Sequence, residues 1–421
     1  MRSFAYTLCF RAAALLLALV ALLAALSLAA GAAVAGASGI PTLSFVYGDK
    51  TFAYSERYIA PTDFMVSEDF QKRRLNEPVE RKMELIDGLL AGGSEVKDAM
   101  LYCFPRLADT VNAARAEVCR APENAEIRFC PDRRPMFEIK RSSPGYELDE
   151  KRIYDDAYFA LRRGLRRVAL SVSVIEPEVT AEELSGYTRL RASYTTSYAS
   201  STPERKHNIA LALGRLNGLT LNAGEKFSFN AAVGKRTAAN GFLPAKIILE
   251  GKYVEGVGGG VCQASTAVYN CALRAGLKIT KVSRHSLVPS YVPPSFDAMV
   301  NGSWSDLCFV NDGDGPLFIR TTAGDGGATV EMYSSELPYK IECRSVTLSV
   351  GQYPADEEFV DTEGRYTAGM ASGEKVRVSG GAAAVSSEGY LVKVYPDGRR
   401  EEKRIRTDEY AESAGTVAVA P

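Results

Sequence analysis

Three consecutive glycines, Gly258, Gly259 and Gly260, interrupt the chain within "YVEGVGGGVCQASTAVYNCALRAG". No helix or strand interior accommodates such a run, because each glycine loses more backbone freedom on ordering than any other residue. One element must therefore end before the triplet and another begin after it. On the N-terminal side, "AKIILEGKYVEGV" is rich in β-branched and aromatic residues and reads as strand. On the C-terminal side, "VCQASTAVYNCALRAG" holds good helix formers and stops at Gly276. Strands, a glycine loop and a helix in succession predict an α+β unit.

The same reading extends in both directions. In "TPERKHNIALALGRLNG", Thr202 fits a helix N-cap, Pro203 the first helical position and Gly218 the stop. Ile209, Leu213 and Leu216 share the core-facing side of that helix. "GEKFSFNAAVG" reads as a strand, and "DLCFVND", "PLFIRTT" and "ATVEMYS" close a unit spanning 187–335. Residues 38–186 read as an earlier α+β domain. It holds a helix around Met83, Ile86, Leu89 and Leu90 and a strand in "RRVALSVSVIEPEVT". Residues 336–421 alternate in short runs such as "GYLVKVYPDG" and predict a small β-rich module, flexible near "VSGGAAAVSSEG". The fold class is a multidomain α+β protein.

The first residues belong to none of these. Arg2 and Arg11 flank and precede "AAALLLALVALLAALSLAAGAAVAGASG", an uncharged run long enough to cross a bilayer at about 20 residues. Ala33–Ala35 and Ala35–Ala37 offer small-residue cleavage sites. Residues 1–37 are therefore expected to be a signal peptide or a membrane anchor, and the rest to lie outside the cytoplasm. The formal net charge of −1 gives no basic surface for nucleic acid. Export permits disulfides, but Cys103, Cys119, Cys130, Cys262, Cys271, Cys308 and Cys343 are irregularly spaced and contain no CxxC pair. Neither a metal nor another cofactor is expected.

Cys262 draws attention by its place at the helix start. A small apolar stripe of Ala264, Val268, Cys271 and Ala275 should face the core. Cys262 lies about 160° from Ala264, alongside Thr266, Tyr269 and Leu273, and is expected to line a cleft. Cys271 is about 180° round the helix from Cys262, so the two cannot bridge, and it reads as a buried core residue. Unpaired N–H groups and the positive dipole end at a helix start favour a thiolate. The N–H groups of Cys262 and Gln263 are the best placed to hold an oxyanion, and Gly258, Gly259 and Gly260 leave room for a substrate backbone. With two histidines in the chain, His285 is favoured over His207 as the base, since it follows "LKITKV" on the return from the helix. Asp297 is the first choice for the group orienting it and Asp306 the second. Against this stands inert structure, the commoner fate of a cysteine near a turn. A phosphate cradle is disfavoured because no Lys-Ser/Thr follows the glycines.

At these residues the chain resembles the VanW family, exported bacterial proteins first associated by name with vancomycin resistance. The resemblance spans about Thr202 to Ser334. It rests on "RKHNIALA", "LNAGEKFSFN", "VGKRTAANGF", the glycine triplet with Cys-Gln, and "RHSLVPSYVPPSFDAMV". Some VanW-domain proteins are regarded as L,D-transpeptidases, which cross-link peptidoglycan through a cysteine acyl-enzyme. The resemblance implies Cys262 as nucleophile and His285 as base, with Arg236, Gln263, Ser265, Thr266 and Tyr291 on motif positions that line the site. Ser295 departs from the pattern, standing where a glycine is expected after the paired prolines. The preceding region resembles a peptidoglycan-binding domain often found ahead of VanW domains, chiefly through "ENAE" and "GYELD". The expected protein is an exported L,D-transpeptidase acting on peptidoglycan stem peptides. The alternatives are a non-enzymatic peptidoglycan-binding protein and a cysteine peptidase or amidase.

Overall fold

The computed structural model describes residues 42–55, 72–249, 252–302 and 304–421. The N-terminal apolar run, and the signal or anchor expected there, lie outside the described residues. Among the described residues no helix is long and apolar enough to cross a membrane. The chain packs as two compact units. One combines the described residues up to Ala121 with Gly145–Ile175, and the other combines Pro122–Pro144 with Glu176–Pro421.

The first unit sets four helices, Val79–Ala91, Val96–Cys103, Leu107–Val118 and Glu150–Arg162, with short strands. The hairpin Leu43–Tyr47/Lys50–Tyr54 is extended in parallel by Arg167–Ala169. Phe45, Ile86, Met100, Phe104 and Tyr154 are fully buried in its core. Asp149 caps the last helix, its Oδ1 accepting from the Arg152 N–H at 3.0 Å. The segment read as one strand in "RRVALSVSVIEPEVT" forms two, because Val172–Ile175 leaves the first sheet and pairs with Gly145–Leu148.

The second unit is built on a four-stranded antiparallel sheet ordered Arg189–Ser197, Gly327–Ser334, Leu317–Gly324, Leu219–Leu221. Its alternation is regular: Ile319 opposes Met332 and Thr321 opposes Val330, all four buried. Two helices, Pro203–Gly214 and Val261–Arg274, pack on this sheet. Thr202 caps the first, accepting from the Arg205 N–H at 3.4 Å, and Pro203 occupies its first turn. That helix ends at Gly214, before the expected stop at Gly218, whose N–H instead joins the sheet at Ile319 O. "GEKFSFNAAVG" is a strand only over Lys226–Ser228. Ser228 then caps a single helical turn, Phe229–Val233, through the Ala231 N–H at 3.1 Å.

The cysteine helix, Val261–Arg274, departs most from the one-sided reading. Every residue from Gln263 to Leu273 is buried, including Thr266, Tyr269 and Leu273. Its polar side is covered by the segment 296–298. Asn270 Nδ2 donates to Phe296 O at 2.7 Å, Ser265 Oγ to Ala298 O at 2.5 Å, and the Ala298 N–H to Thr266 Oγ1 at 3.0 Å. Polar residues thus enter the interior by satisfying a loop backbone that has no sheet partner.

Beyond Ser334 the chain forms an antiparallel sheet of Lys340–Val350, Val385–Val394 and Arg400–Tyr410, and a smaller one of Glu357–Val360, Thr416–Val419 and Lys375–Ser379. The stretch expected to be flexible is largely paired. Ala382 bridges Ser413, and Val385 to Gly389 lie in register with Val350 to Ser345.

Candidate active site

The glycine triplet places the helix start. Gly258 and Gly260 adopt φ of 88° and 105°, a region that side chains disfavour. The room beside them is taken by the protein itself. A Cβ on Gly258 would lie 2.9 Å from Arg236 Cβ, one on Gly260 2.9 Å from Arg205 Cγ, and one on Gly259 2.6 Å from Lys246 O. The glycines therefore let the loop seat against the Pro244–Leu249 strand and two arginines. This corrects the expectation that they clear space for a substrate, although Gly258 and Gly260 still border the cleft.

Cys262, half-buried on the first turn, lies within side-chain interaction range of His285. In its protonated form the thiol also donates to Val300 O at 3.3 Å. His285 Nδ1 lies 2.7 Å from Asp297 Oδ2, and the His285 backbone N–H donates to the same oxygen at 2.6 Å. With Nδ1 held by the carboxylate, Nε2 is the ring nitrogen left for the thiol. Nucleophile, base and orienting carboxylate thus form one connected chain.

The electrostatics match this order. Burial pushes the Cys262 thiol up, but the hydrogen bond and charge of His285, with the Arg236 charge, bring it below its ordinary value. Burial lowers His285, yet Asp297 and Cys262 outweigh it and raise the imidazole to about 9. Asp297 is pushed up by burial and held below the usual carboxylate range by His285, Arg406 and Tyr410. Both shifts favour a thiolate beside an imidazolium. Cys271, on the same helix, is pushed far up by burial.

The remaining expected residues separate into those bordering the cleft and those behind it. Arg236 borders it, its Nη2 donating to Asn230 Oδ1 at 2.6 Å, as does Tyr291, whose phenol is pushed well up by burial and by the charges of Cys262 and Asp297. Gln263 borders it too, but its Nε2 is spent on Thr196 Oγ1 at 3.0 Å and Ser197 O at 2.7 Å. Its backbone N–H donates to Gly260 O at 2.9 Å, which removes it as an oxyanion donor. The Cys262 N–H has no backbone acceptor among the described residues and is left available as that donor. Ser265 and Thr266 are fully buried and hold the segment behind the helix, so they do not line the cleft. His207 bonds Gly241 O at 2.9 Å, and Asp306 accepts from Ser228 Oγ and the Asn230 N–H. Neither reaches the Cys262 centre.

The cleft has a volume of about 2170 Å³ and is bordered by Tyr198, Cys262, His285, Tyr291 and the exposed Trp304. That is well above the ~300–1,000 Å³ of a pocket for one small molecule and leaves room for a peptide or glycopeptide. Among the described residues no group of three His, Cys, Asp or Glu side chains is placed to hold a metal ion.

Two residues at the centre carry no signal in the local sequence. Tyr410 OH donates to Asp297 Oδ1 at 2.6 Å, and Arg406 Nη1 donates to Asp297 O at 2.6 Å. Both sit on the strand Arg400–Tyr410. Ser295 adopts φ of 64°, which explains why a glycine is expected there.

A family model described as VanW like protein matches residues 204–333. The chain is similar to the uncharacterized protein YoaR of Bacillus subtilis, 34% identical over 195 residues that cover 46% of this chain and 64% of the relative. It is also similar to the vancomycin B-type resistance protein VanW of Enterococcus faecalis, 30% identical over 148 residues, 33% of this chain and 54% of the relative. The chain therefore spans less than two thirds of either relative's length. Cys262, His285 and Asp297 all fall inside the matched segment, whereas Arg406 and Tyr410 fall outside it. Residues 204–333 are thus a VanW-like segment of the chain.

Proposed function

We propose that this protein is an exported, cell-wall-directed cysteine acyltransferase of the L,D-transpeptidase type. The observation that carries the reading is the grouping of Cys262, His285 and Asp297, with His285 held to Asp297 at 2.7 Å, beside a cleft sized for an extended substrate. The substrate class rests on the family. One relative bears the name of a vancomycin B-type resistance protein, which supports a resistance-associated role at the cell wall. Export would come from the apolar run within residues 1–37, and residues 38–186 would add peptidoglycan binding.

In the first half-reaction the Cys262 thiolate attacks the carbonyl carbon of the third stem residue, forming a C–S bond. The Cys262 N–H faces the oxyanion that develops. Collapse breaks the C–N bond to the terminal D-alanine, whose nitrogen takes a proton from His285 Nε2. In the second half-reaction an amine of a neighbouring stem attacks the thioester and gives its proton to His285. The C–S bond breaks, an amide cross-link forms, and the thiolate returns. Asp297 holds the imidazole in register throughout.

The test is turnover of purified disaccharide-tetrapeptide, with and without a second stem peptide as amine acceptor, read by mass spectrometry. Released D-alanine together with a cross-linked dimer is expected, and both should fall by about 10³-fold or more in Cys262→Ala. D-alanine release that ignores the acceptor would make the enzyme a carboxypeptidase. Binding to peptidoglycan sacculi with no turnover of any stem peptide would replace the enzyme with a binding protein.

A further inference from the structure

We propose that Tyr410 and Arg406, on a strand beyond the family-matched segment, are positioning residues of the Cys262 centre, so that the matched segment alone does not complete it. The inference rests on the reading of Cys262 as a thiolate nucleophile held by His285 and Asp297.

The Asp297 carboxylate is 0% exposed. A buried carboxylate is costly unless its lone pairs are matched. Its Oδ2 is occupied by the His285 ring and backbone N–H. Its Oδ1 depends on the C-terminal strand: Tyr410 OH donates to it at 2.6 Å, and Arg406 Nη2 lies 3.6 Å away. Arg406 Nη1 also holds the Asp297 main-chain oxygen. Tyr410 OH in turn accepts from the Ser295 N–H at 2.8 Å, which fixes the positive-φ residue two positions before Asp297.

Neighbouring contacts show the approach to be close. The Ala411 N–H donates to Ser286 O, next to His285, at 2.8 Å. Ser387 Oγ meets Ser295 Oγ at 2.8 Å, and a Cβ on Gly389 would lie 3.1 Å from Ser295 Cβ. A strand that only covered the loop could do so with apolar side chains. This one presents a buried guanidinium, itself matched by Asp408 at 3.0 Å.

The sign of the electrostatic effect follows from geometry. Asp297 faces His285, Arg406, Tyr410 and Tyr291, and Cys262 faces His285, Arg236 and Tyr291. Arg406 also faces Asp408 and Tyr269, and Arg284 stacks on Tyr410. Removing the Arg406 charge, or the positive end of the Tyr410 hydroxyl dipole, raises the proton affinity of every group in the cluster. Thiolate formation at Cys262 therefore moves to higher pH.

The experiment follows iodoacetamide labelling of each cysteine across pH by peptide mass spectrometry, in the full-length protein and its Tyr410→Phe and Arg406→Gln variants. The expected result is a Cys262 labelling midpoint about one unit higher in the variants, hence about 10-fold less thiolate on the acid side, with Cys271 still protected. An unchanged midpoint in both variants overturns the proposal. So does labelling of Cys271 together with Cys262 in both, since the pair would then hold the fold rather than the carboxylate. A wild-type midpoint at the ordinary thiol value of about 8.5 would instead remove the thiolate reading itself.

Discussion

Cys262 and Cys271 lie on one helix and have opposite chemistry. Cys262 faces His285 and is brought below its ordinary value, whereas Cys271 is pushed far up by burial. Iodoacetamide at neutral pH should therefore label Cys262 and leave Cys271 untouched until denaturant is added; equal labelling of both would contradict the assignment. The pH dependence follows from the same groups. Turnover needs the His285 proton, which is lost as pH rises through about 9, so the alkaline limb of kcat/KM should fall there and vanish as a separate limb in His285→Ala. The raised value also means that the folded state holds this proton more tightly than the unfolded one. Its stabilisation is full below the unfolded value of about 6.5 and disappears as pH passes through the folded value near 9. Cys262 and His285 are legible in the sequence because a cysteine at a helix start needs a base and the chain has two histidines. The places of Ser265 and Thr266 are not, because what they satisfy is the backbone at Ala298, far along the chain.

Among the elements, the helix after the glycine triplet and the strand character before it are legible, but the pairing of Pro244–Leu249 with Lys252–Val257 and the packing of both elements are not. Helical periodicity assumes one wet face, and this helix has none beyond its first turn. The glycines show the same limit. Gly258 and Gly260 adopt positive φ and are crowded by Arg236 and Arg205, and only Gly259 is crowded by the hairpin backbone. Gly259 is the cleanest test, since a Cβ there would meet Lys246 O and Ala245 at 2.6–2.7 Å, backbone that cannot rotate away. Gly259→Ala should cost about 3 kcal/mol, read as a lower denaturant midpoint with unchanged slope. An unchanged midpoint would mean that the hairpin yields without loss. Ser295 shows how a departure from the family pattern is absorbed. Its hydroxyl meets Ser387 and its N–H meets Tyr410, so contacts from the C-terminal sheet hold a residue at φ of 64°.

The whole molecule is organised by contacts that cross the order of the chain. Residues 122–144 pack with those beyond 176, where the strands Glu126–Phe129 and Phe137–Lys140 bring Phe129 and Phe137 to within about 5 Å, centroid to centroid, of Phe318. Phe318→Ala should destabilise this unit by about 3–5 kcal/mol in a denaturant titration; a loss below about 1 kcal/mol would mean that the aromatic cluster is peripheral. Composition and periodicity mark where elements change and carry no information on such long-range joins, which is also why Tyr410 escapes a reading from the motif outwards. The central claim is that Cys262 carries the acyl group. Intact-protein mass spectrometry of the full chain with disaccharide-tetrapeptide, with no acceptor and quenched at early times, tests it most directly. The account predicts an adduct of the stem peptide less its terminal D-alanine, mapping to Cys262 and absent in Cys262→Ala. An adduct on another residue, or turnover that survives in Cys262→Ala, would contradict it.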